Sequence, residues 1–283
     1  MTPVRRAAAA RAAPLRDHAE RPGGGAGLPA FDNWDPTRAL ALVTTPTRAG
    51  LLAEVEARLV ARQGFSVATL NLDHMVKLRC DAAFRAAYVR HSHVVADGNP
   101  VVWLSRQSGR PVELVPGSEL VQPLAAIAAR HDVPVALMGS TEGALAAAAD
   151  RLQAAHPGLR VVARIAPGFG FDPDGAEADA CIDRLEASGA RLCLIALGAP
   201  RQERFAARAA ARLGETGFVS VGAGLDFIAG TQRRAPRWVR RISMEWAWRM
   251  LNDPVRLTRR YAACFAILPE LTRAARRTGS GNS

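Results

Sequence analysis

Lysine is almost absent from this chain. Lys77 is the only one in 283 residues, so the formal net charge of +11 is carried by arginine, the side chain suited to bidentate contact with phosphate. Cysteine is scarce too. Cys80, Cys181, Cys193 and Cys264 fall into no C-x-x-C or other ligand spacing, which argues against a zinc site and fits free thiols in a reducing compartment. No window holds the roughly 18 apolar residues that a membrane span needs, so the chain is expected to be soluble or peripheral to a membrane. No G-x-G-x-x-G follows the first strand, which removes the dinucleotide-binding fingerprint. No D-x-D stands at a strand end: Asp172 and Asp174 have the spacing, but Pro173 lies between them in a loop-like stretch. Neither metal nor cofactor is therefore expected. Helix-turn-helix, RNA-recognition and zinc-finger patterns are also missing, which weighs against nucleic acid as a partner.

What is present reads as globular, with 49% hydrophobic and 22% charged residues, enough for one large domain or a domain with an appendage. Residues 1–36 are rich in Ala, Arg, Gly and Pro. Arginine and proline interrupt the alanines, so the stretch reads as a disordered tail and not as a signal peptide. From Ala39 a regular alternation begins. Strands are expected at Ala39–Thr44, Val67–Leu70, Val94–Ala96, Val133–Met138, Leu159–Ile165, Leu192–Leu197 and Gly217–Val221. Helices are expected at Arg48–Gln63, Glu142–His156, Ala176–Ser188 and Gln202–Leu213. Strands alternating with helices predict an α/β fold: a Rossmann-like, mostly parallel sheet covered by helices on both faces. This core is assigned to residues 37–230.

The most informative stretch runs from Phe65 to Pro100. Val67-Ala68-Thr69-Leu70 ends at Asn71, and Val94-Val95-Ala96 ends at Asp97-Gly98. Ligands of an α/β sheet bind outside the carboxyl ends of the strands, so Thr69, Asn71 and Asp97 are expected at one mouth. Gly98 leaves the Asp97 carboxylate open to a substrate, although Asp-Gly alone is also common turn punctuation. Gly139, Gly198 and Gly222 follow later strands, and helices beginning after them offer free N–H groups to phosphate. In GAPRQE, Gly198–Glu203, Pro200 suits a helix entrance and Arg201 and Gln202 point toward the mouth. In GAGLDFIAG, Gly222–Gly230, Asp226 either caps the next helix or binds a sugar or base hydroxyl.

Composition changes after Gly230. Thr231–Ser280 carries 12 arginines against 3 acids, a local excess of nine positive charges, and three of the five tryptophans. Trp238, Ile242, Trp246 and Met250 stand four apart and form one helical stripe beside Arg237, Arg240 and Arg241. Such a segment suits an anionic membrane surface, packs on the main domain, or does both. It is read as a helical appendage over residues 231–270, followed by a disordered tail over 271–283. The strands are complete by Val221, so the core is expected to fold without the appendage.

GAPRQE, GAGLDFIAG and RRAPRWVRR (Arg233–Arg241), in that order behind Asp97-Gly98, resemble the WecG/TagA/CpsF glycosyltransferase family from about Ala39 to about Leu268. The resemblance implies an inverting, metal-independent transfer of a hexose or N-acetylhexosamine-type sugar from a UDP-sugar to a polyprenyl-diphosphate-linked sugar. It places the protein at the cytoplasmic face of the cell membrane, in cell-surface polysaccharide synthesis, and leaves homo-oligomerisation open. In this reading Asp97 is the base, Thr69 and Asn71 position the sugars, and Gln202 contacts the donor. The appendage helps close the site, with Arg233, Arg237, Arg240 and Arg241 holding a diphosphate. Two positions depart from the family: Leu114 stands where an arginine is common, and Glu119 where an aspartate is. The rival from another class is a non-catalytic Arg-rich α/β module that docks on membrane or nucleic acid.

Overall fold

The computed structural model describes residues 31–232, 235–236, 248 and 254–280. Six strands form one sheet: β1 (Phe65–Leu70), β2 (His93–Ala96), β3 (Val135–Gly139), β4 (Val161–Ile165), β5 (Leu192–Ala196) and β6 (Gly217–Ser220). Their order across the sheet is β2-β1-β6-β5-β3-β4, and every pairing is parallel. All carboxyl ends therefore open on one rim. The strands are short apolar runs because helices cover both faces. β4, at the edge, alternates half-buried with exposed positions and buries only Ile165.

One face buries Val67, Val95, Leu137, Leu194 and Val219. They pack under α2 (Arg48–Val60), α6 (Gly117–Arg130), α7 (Glu142–Ala155) and α10 (Gly224–Ala229). On the other face, Ala68, Leu70, Val94 and Ala96 pack under α1 (Pro36–Ala41), α3 (Leu72–Cys80), α4 (Ala82–Tyr88) and α5 (Asn99–Gln107). Farther along that face, Phe218, Cys193 and Ile195 meet α8 (Ala176–Ser188) and α9 (Arg201–Arg212). Side-chain caps start several of these helices: Thr47 for α2, Asn71 for α3, Asp81 for α4 and Thr141 for α7.

Three sequence expectations need correction. The strand expected at Ala39–Thr44 is not one. Asp35 accepts from Thr37 N at 2.8 Å and Pro36 takes the first helical position, so Pro36–Ala41 winds into α1. The chain then runs beside β2 with no regular ladder: the amides of Thr44 and Thr45 both reach Val94 O, and Val94 N donates to Thr44 Oγ1 at 2.9 Å. Residues 31–36, expected in a tail, are tied down. Phe31 is buried, Trp34 Nε1 donates to Glu270 Oε1 at 2.7 Å, and the buried Arg85 donates to the carbonyls of Phe31 and Asp32.

The third correction concerns the C-terminus. Residues 271–280, expected as a tail, continue the long helix Pro254–Ser280. Ile267, Leu271 and Ala275 of that helix lie in the same core cluster as Leu70, Val94 and Ala96. Burying a leucine such as Leu271 fully is worth about 1.5–3 kcal/mol. The described part of the C-terminal region therefore completes one face of the sheet. The tryptophan stripe around Trp238 and Trp246 lies outside the described residues.

Candidate active site

β1 and β2 supply one half of the rim. Leu70 stands opposite Ala96 in the ladder, and Asp97 N donates to Leu70 O at 2.8 Å, one step beyond the last paired residues. Asn71 and Asp97 are therefore neighbours at the strand ends, with Asp97 half-buried. Gly98, at φ +119°, turns the chain there, and a Cβ on it would stand 3.8 Å from Asn71 Cβ. Asn71 is also a cap: its Oδ1 accepts from His74 N at 3.0 Å, which fixes the side chain at the start of α3.

Thr69 is 3% exposed. It faces α6, and a Cβ on Gly117 would come within 3.1 Å of its Cγ2 and 2.9 Å of Ser220 O. Gly117 thus lets the start of α6 press onto the ends of β1 and β6. The Thr69 carbonyl is held from the other face, where Tyr88 Oη donates to it at 2.7 Å and His74 Nδ1 lies 2.7 Å away. Burial lowers His74 to a pKa of about 3, so it is neutral, and burial followed by the acids Glu203, Asp97 and Asp73 pushes the Tyr88 hydroxyl well up.

Beside Asn71, Asp73 gathers two cations. Lys77 Nζ lies 2.5 Å from its Oδ2, and Arg260 Nε of the C-terminal helix lies 2.9 Å from its Oδ1. Burial pushes the Asp73 carboxyl up, but Arg260 and Lys77 outweigh it and hold the group below its ordinary range. Lys77 Nζ also donates to Ala199 O at 3.2 Å. α3, the C-terminal helix and the loop after β5 thus meet through one carboxylate and the chain's only lysine.

β5, β6 and β3 supply the other half. Gly198 and Gly222 take positive φ, at +71° and +53°, where the chain leaves β5 and passes β6. Ser140, after β3, has φ +57°, and its Oγ donates to Asp226 Oδ1 at 2.5 Å. Gln232 Nε2 donates to the other Asp226 oxygen at 3.1 Å. Asp226 is therefore half-buried and braces β3 against α10. Arg201 is exposed at the start of α9, whereas Gln202 is 3% exposed and donates its Nε2 to Glu203 Oε1 at 2.7 Å. Glu203 is fully buried, and burial raises its pKa to about 7.

Four helices begin at this rim without a side-chain cap: α5 behind Gly98, α6 behind Pro116, α9 behind Pro200 and the short α10 behind Ala223. Their first N–H groups have no intrahelical partner and carry the positive end of the helix dipole. Oxyanions are stabilised by such starts. Leu114 is 40% exposed and flanks this rim, because Val115 N, next in the chain, donates to Ala96 O at 2.8 Å. Glu119 pairs with Arg48 at 3.6 Å.

The structure therefore brings Asn71 and Asp97 side by side, turns Thr69 inward under them, and sets Arg201, Gln202 and Asp226 along the β5 and β6 side. Arg233, Arg237, Arg240 and Arg241 lie outside the described residues. Sequence reasoning missed Gly117, Ser140 and Lys77. Their signals were weak, since a Gly after Pro, a Ser after Gly and a lone Lys on a short helix each have common structural explanations. Asp172 and Asp174 lie in the turn before α8, where Asp172 Oδ1 accepts from Asp174 N at 3.0 Å and Asp174 pairs with Arg204. Among the described residues no cluster of three or more His, Cys, Asp or Glu is arranged to hold a metal ion, and no helix is long and apolar enough to cross a membrane. A cavity of about 290 Å³ lies against α4, lined by Phe31, Asp32, Ala82, Ala86 and Val89 and by none of the rim residues.

A family model described as the glycosyl transferase WecG/TagA/CpsF family matches residues 40–280.

Proposed function

The chain belongs to the WecG/TagA/CpsF family, glycosyltransferases of cell-surface polysaccharide synthesis, and from that premise we propose an inverting, metal-independent transfer from a UDP-sugar to a polyprenyl-diphosphate-linked sugar. The transferred unit is a hexose or an N-acetylhexosamine-type sugar. The observation that carries this reading is the seat of Asp97. A half-buried carboxylate stands at a strand end beside Asn71, with the uncapped start of α5 immediately behind it.

In the proposed step the Asp97 carboxylate takes the proton of an acceptor hydroxyl. The freed oxygen attacks the anomeric carbon from the face opposite the nucleotide. A carbon–oxygen bond forms to the acceptor, and the bond from the anomeric carbon to the diphosphate oxygen breaks. UDP leaves with that electron pair, and the configuration inverts. Asn71 and Thr69 shape the sugar side of the rim. The open helix starts, with Arg233, Arg237, Arg240 and Arg241, offset the charge of the departing diphosphate. A positioned general base contributes about two to four powers of ten in rate.

Peripheral attachment to the inner face of the cell membrane belongs to the same proposal. Arg259, Phe265, Arg273, Arg276 and Arg277 of the C-terminal helix are exposed, a mixture of cations and an aromatic that suits anionic lipid. The test is release of UDP from a panel of UDP-sugars in the presence of a polyprenyl-diphosphate-linked acceptor. Release with transfer to lipid supports the reading. No release from any donor would instead favour a non-catalytic Arg-rich binding module.

A further inference from the structure

We propose that Glu203 is a positioning residue that works as an uncharged acid, holding the Gln202 amide and leaving the open start of α9 free to receive a diphosphate. Only the identity of that diphosphate, as part of a UDP-sugar, rests on the function proposed above.

The geometry begins with Pro200. A glutamate in the third position of a helix ordinarily reaches back to the N–H of the cap residue. The cap residue of α9 is Pro200, which has no N–H. Glu203 occupies that third position and turns inward, with 0% exposure, while Arg201 stays in solvent. Its Oε1 accepts from Gln202 Nε2 at 2.7 Å. Glu203 Oε2, Gln202 Oε1 and Ser220 Oγ are all buried with no hydrogen-bond partner among the described residues. Ser220 lies on the same pleat face of β6 as Phe218, which packs against α9.

The groups that act on this carboxyl are Gln202 of α9 and Lys77 and Asp73 of α3, and Glu203 in turn acts on Tyr88 of α4 and, through its backbone, on His91 of the following turn. Asp97, at the end of β2, acts on Tyr88 together with Glu203. None of these is a cation in contact with Glu203. Lys77, the nearest in effect, is already engaged by Asp73 and Ala199 O. Both His74 and His91 are held neutral by burial.

An ionised carboxylate here would be a buried charge met only by neutral donors, the Gln202 amide and its own backbone N–H, with no cation in contact, which is costly. It would also sit inside the first turn of α9, where it cancels the positive dipole end that an incoming diphosphate uses. The protonated acid avoids both penalties and brings an O–H donor to the unpartnered oxygens around it. Burial raises the group to about 7, against the opposing effects of Gln202 and its own backbone N–H.

The experiment is calorimetric titration of the full chain and of Glu203→Gln with UDP, and in parallel with inorganic diphosphate, at about pH 6 and about pH 8. Ionisation of the ligand phosphate affects both proteins alike, so their difference isolates Glu203. The two proteins are expected to bind UDP equally at the lower pH. At the higher pH Glu203→Gln should bind about two- to fivefold tighter. Infrared spectra of the unmutated protein should show the carbonyl stretch of a protonated carboxylic acid at the lower pH, weakening at the higher one. That readout decides the protonation state even if Glu203→Gln does not fold. Identical pH dependence of UDP affinity in the two proteins overturns the proposal, as does an ionised Glu203 at about pH 6. If diphosphate binding shows the expected difference while UDP does not bind, the proposal stands and the UDP-sugar reading fails.

Discussion

The amide nitrogen of Asp97 donates to the carbonyl oxygen of Leu70 across 2.8 Å. That one bond extends the β1–β2 pairing past its last ladder residues and seats the Asp97 carboxyl beside Asn71. The backbone bond holds this strand end, and asparagine keeps the size of the aspartate side chain and some of its hydrogen bonding.

Asp97→Asn should therefore fold normally. Turnover should fall by about two to four powers of ten, because an amide cannot accept the acceptor's proton. UDP affinity and the thermal midpoint should stay close to those of the unmutated protein. Near-normal turnover would remove Asp97 as the base.

Gly117→Ala tests the packing beneath the rim. The added methyl would stand 2.9 Å from Ser220 O and 3.1 Å from Thr69 Cγ2. Ser220 O is backbone and cannot swing aside, so α6 must shift, at a cost of about 1–3 kcal/mol. Denaturant titration should show that loss, with turnover reduced because Thr69 and the start of α6 move together. Unchanged stability would mean that the contact is not tight.

The C-terminal helix offers a test of where the core ends. Leu271→Ala should cost about 2–5 kcal/mol in denaturant unfolding, since Leu271 is fully buried with Leu70 and Ala96. Truncation after Gly230 removes Ile267, Leu271 and Ala275 together and should yield an aggregating or unfolded chain. A soluble, cooperatively folding fragment 1–230 would contradict this.

Glu203 also makes stability depend on pH. Its folded-state pKa is raised from the ordinary 4.5 to about 7, so the folded protein holds the proton more tightly than the unfolded chain. The associated stability is present below pH 4.5 and is lost as pH rises through about 7. Glu203→Gln, which cannot ionise, should match the unmutated protein at the acid end. Above neutrality it should be the more stable, by on the order of 3 kcal/mol. Urea titrations across the pH range check the sign, and greater instability of the variant at alkaline pH would refute it.

Metal removal probes the proposed role of arginine. With helix starts and arginines offsetting the diphosphate charge, dialysis against EDTA should leave turnover nearly intact. Strict recovery of activity by magnesium or manganese would assign that role to a metal instead.

The strand-to-helix alternation from Arg48 to Val221 was legible in the residues themselves, because short apolar runs alternating with stretches of helical spacing read as a parallel sheet covered on both faces. The same logic placed Asp97, Asn71 and the glycines Gly198 and Gly222 at one rim, since all parallel strands end on the same side. Local pattern misread Ala39–Thr44, where a capping Asp and a following Pro outweigh β propensity. α5 and α6 were not anticipated, and each carries a proline at its start or within it. Only the tertiary structure decided that Glu203 turns inward, that Ser140 reaches Asp226 from 86 positions away, and that Leu271 closes the face over β1 and β2. Those outcomes depend on which elements lie against each other, and burial, which sets both the charge of Glu203 and the worth of Leu271, is a property of that arrangement and not of the local sequence.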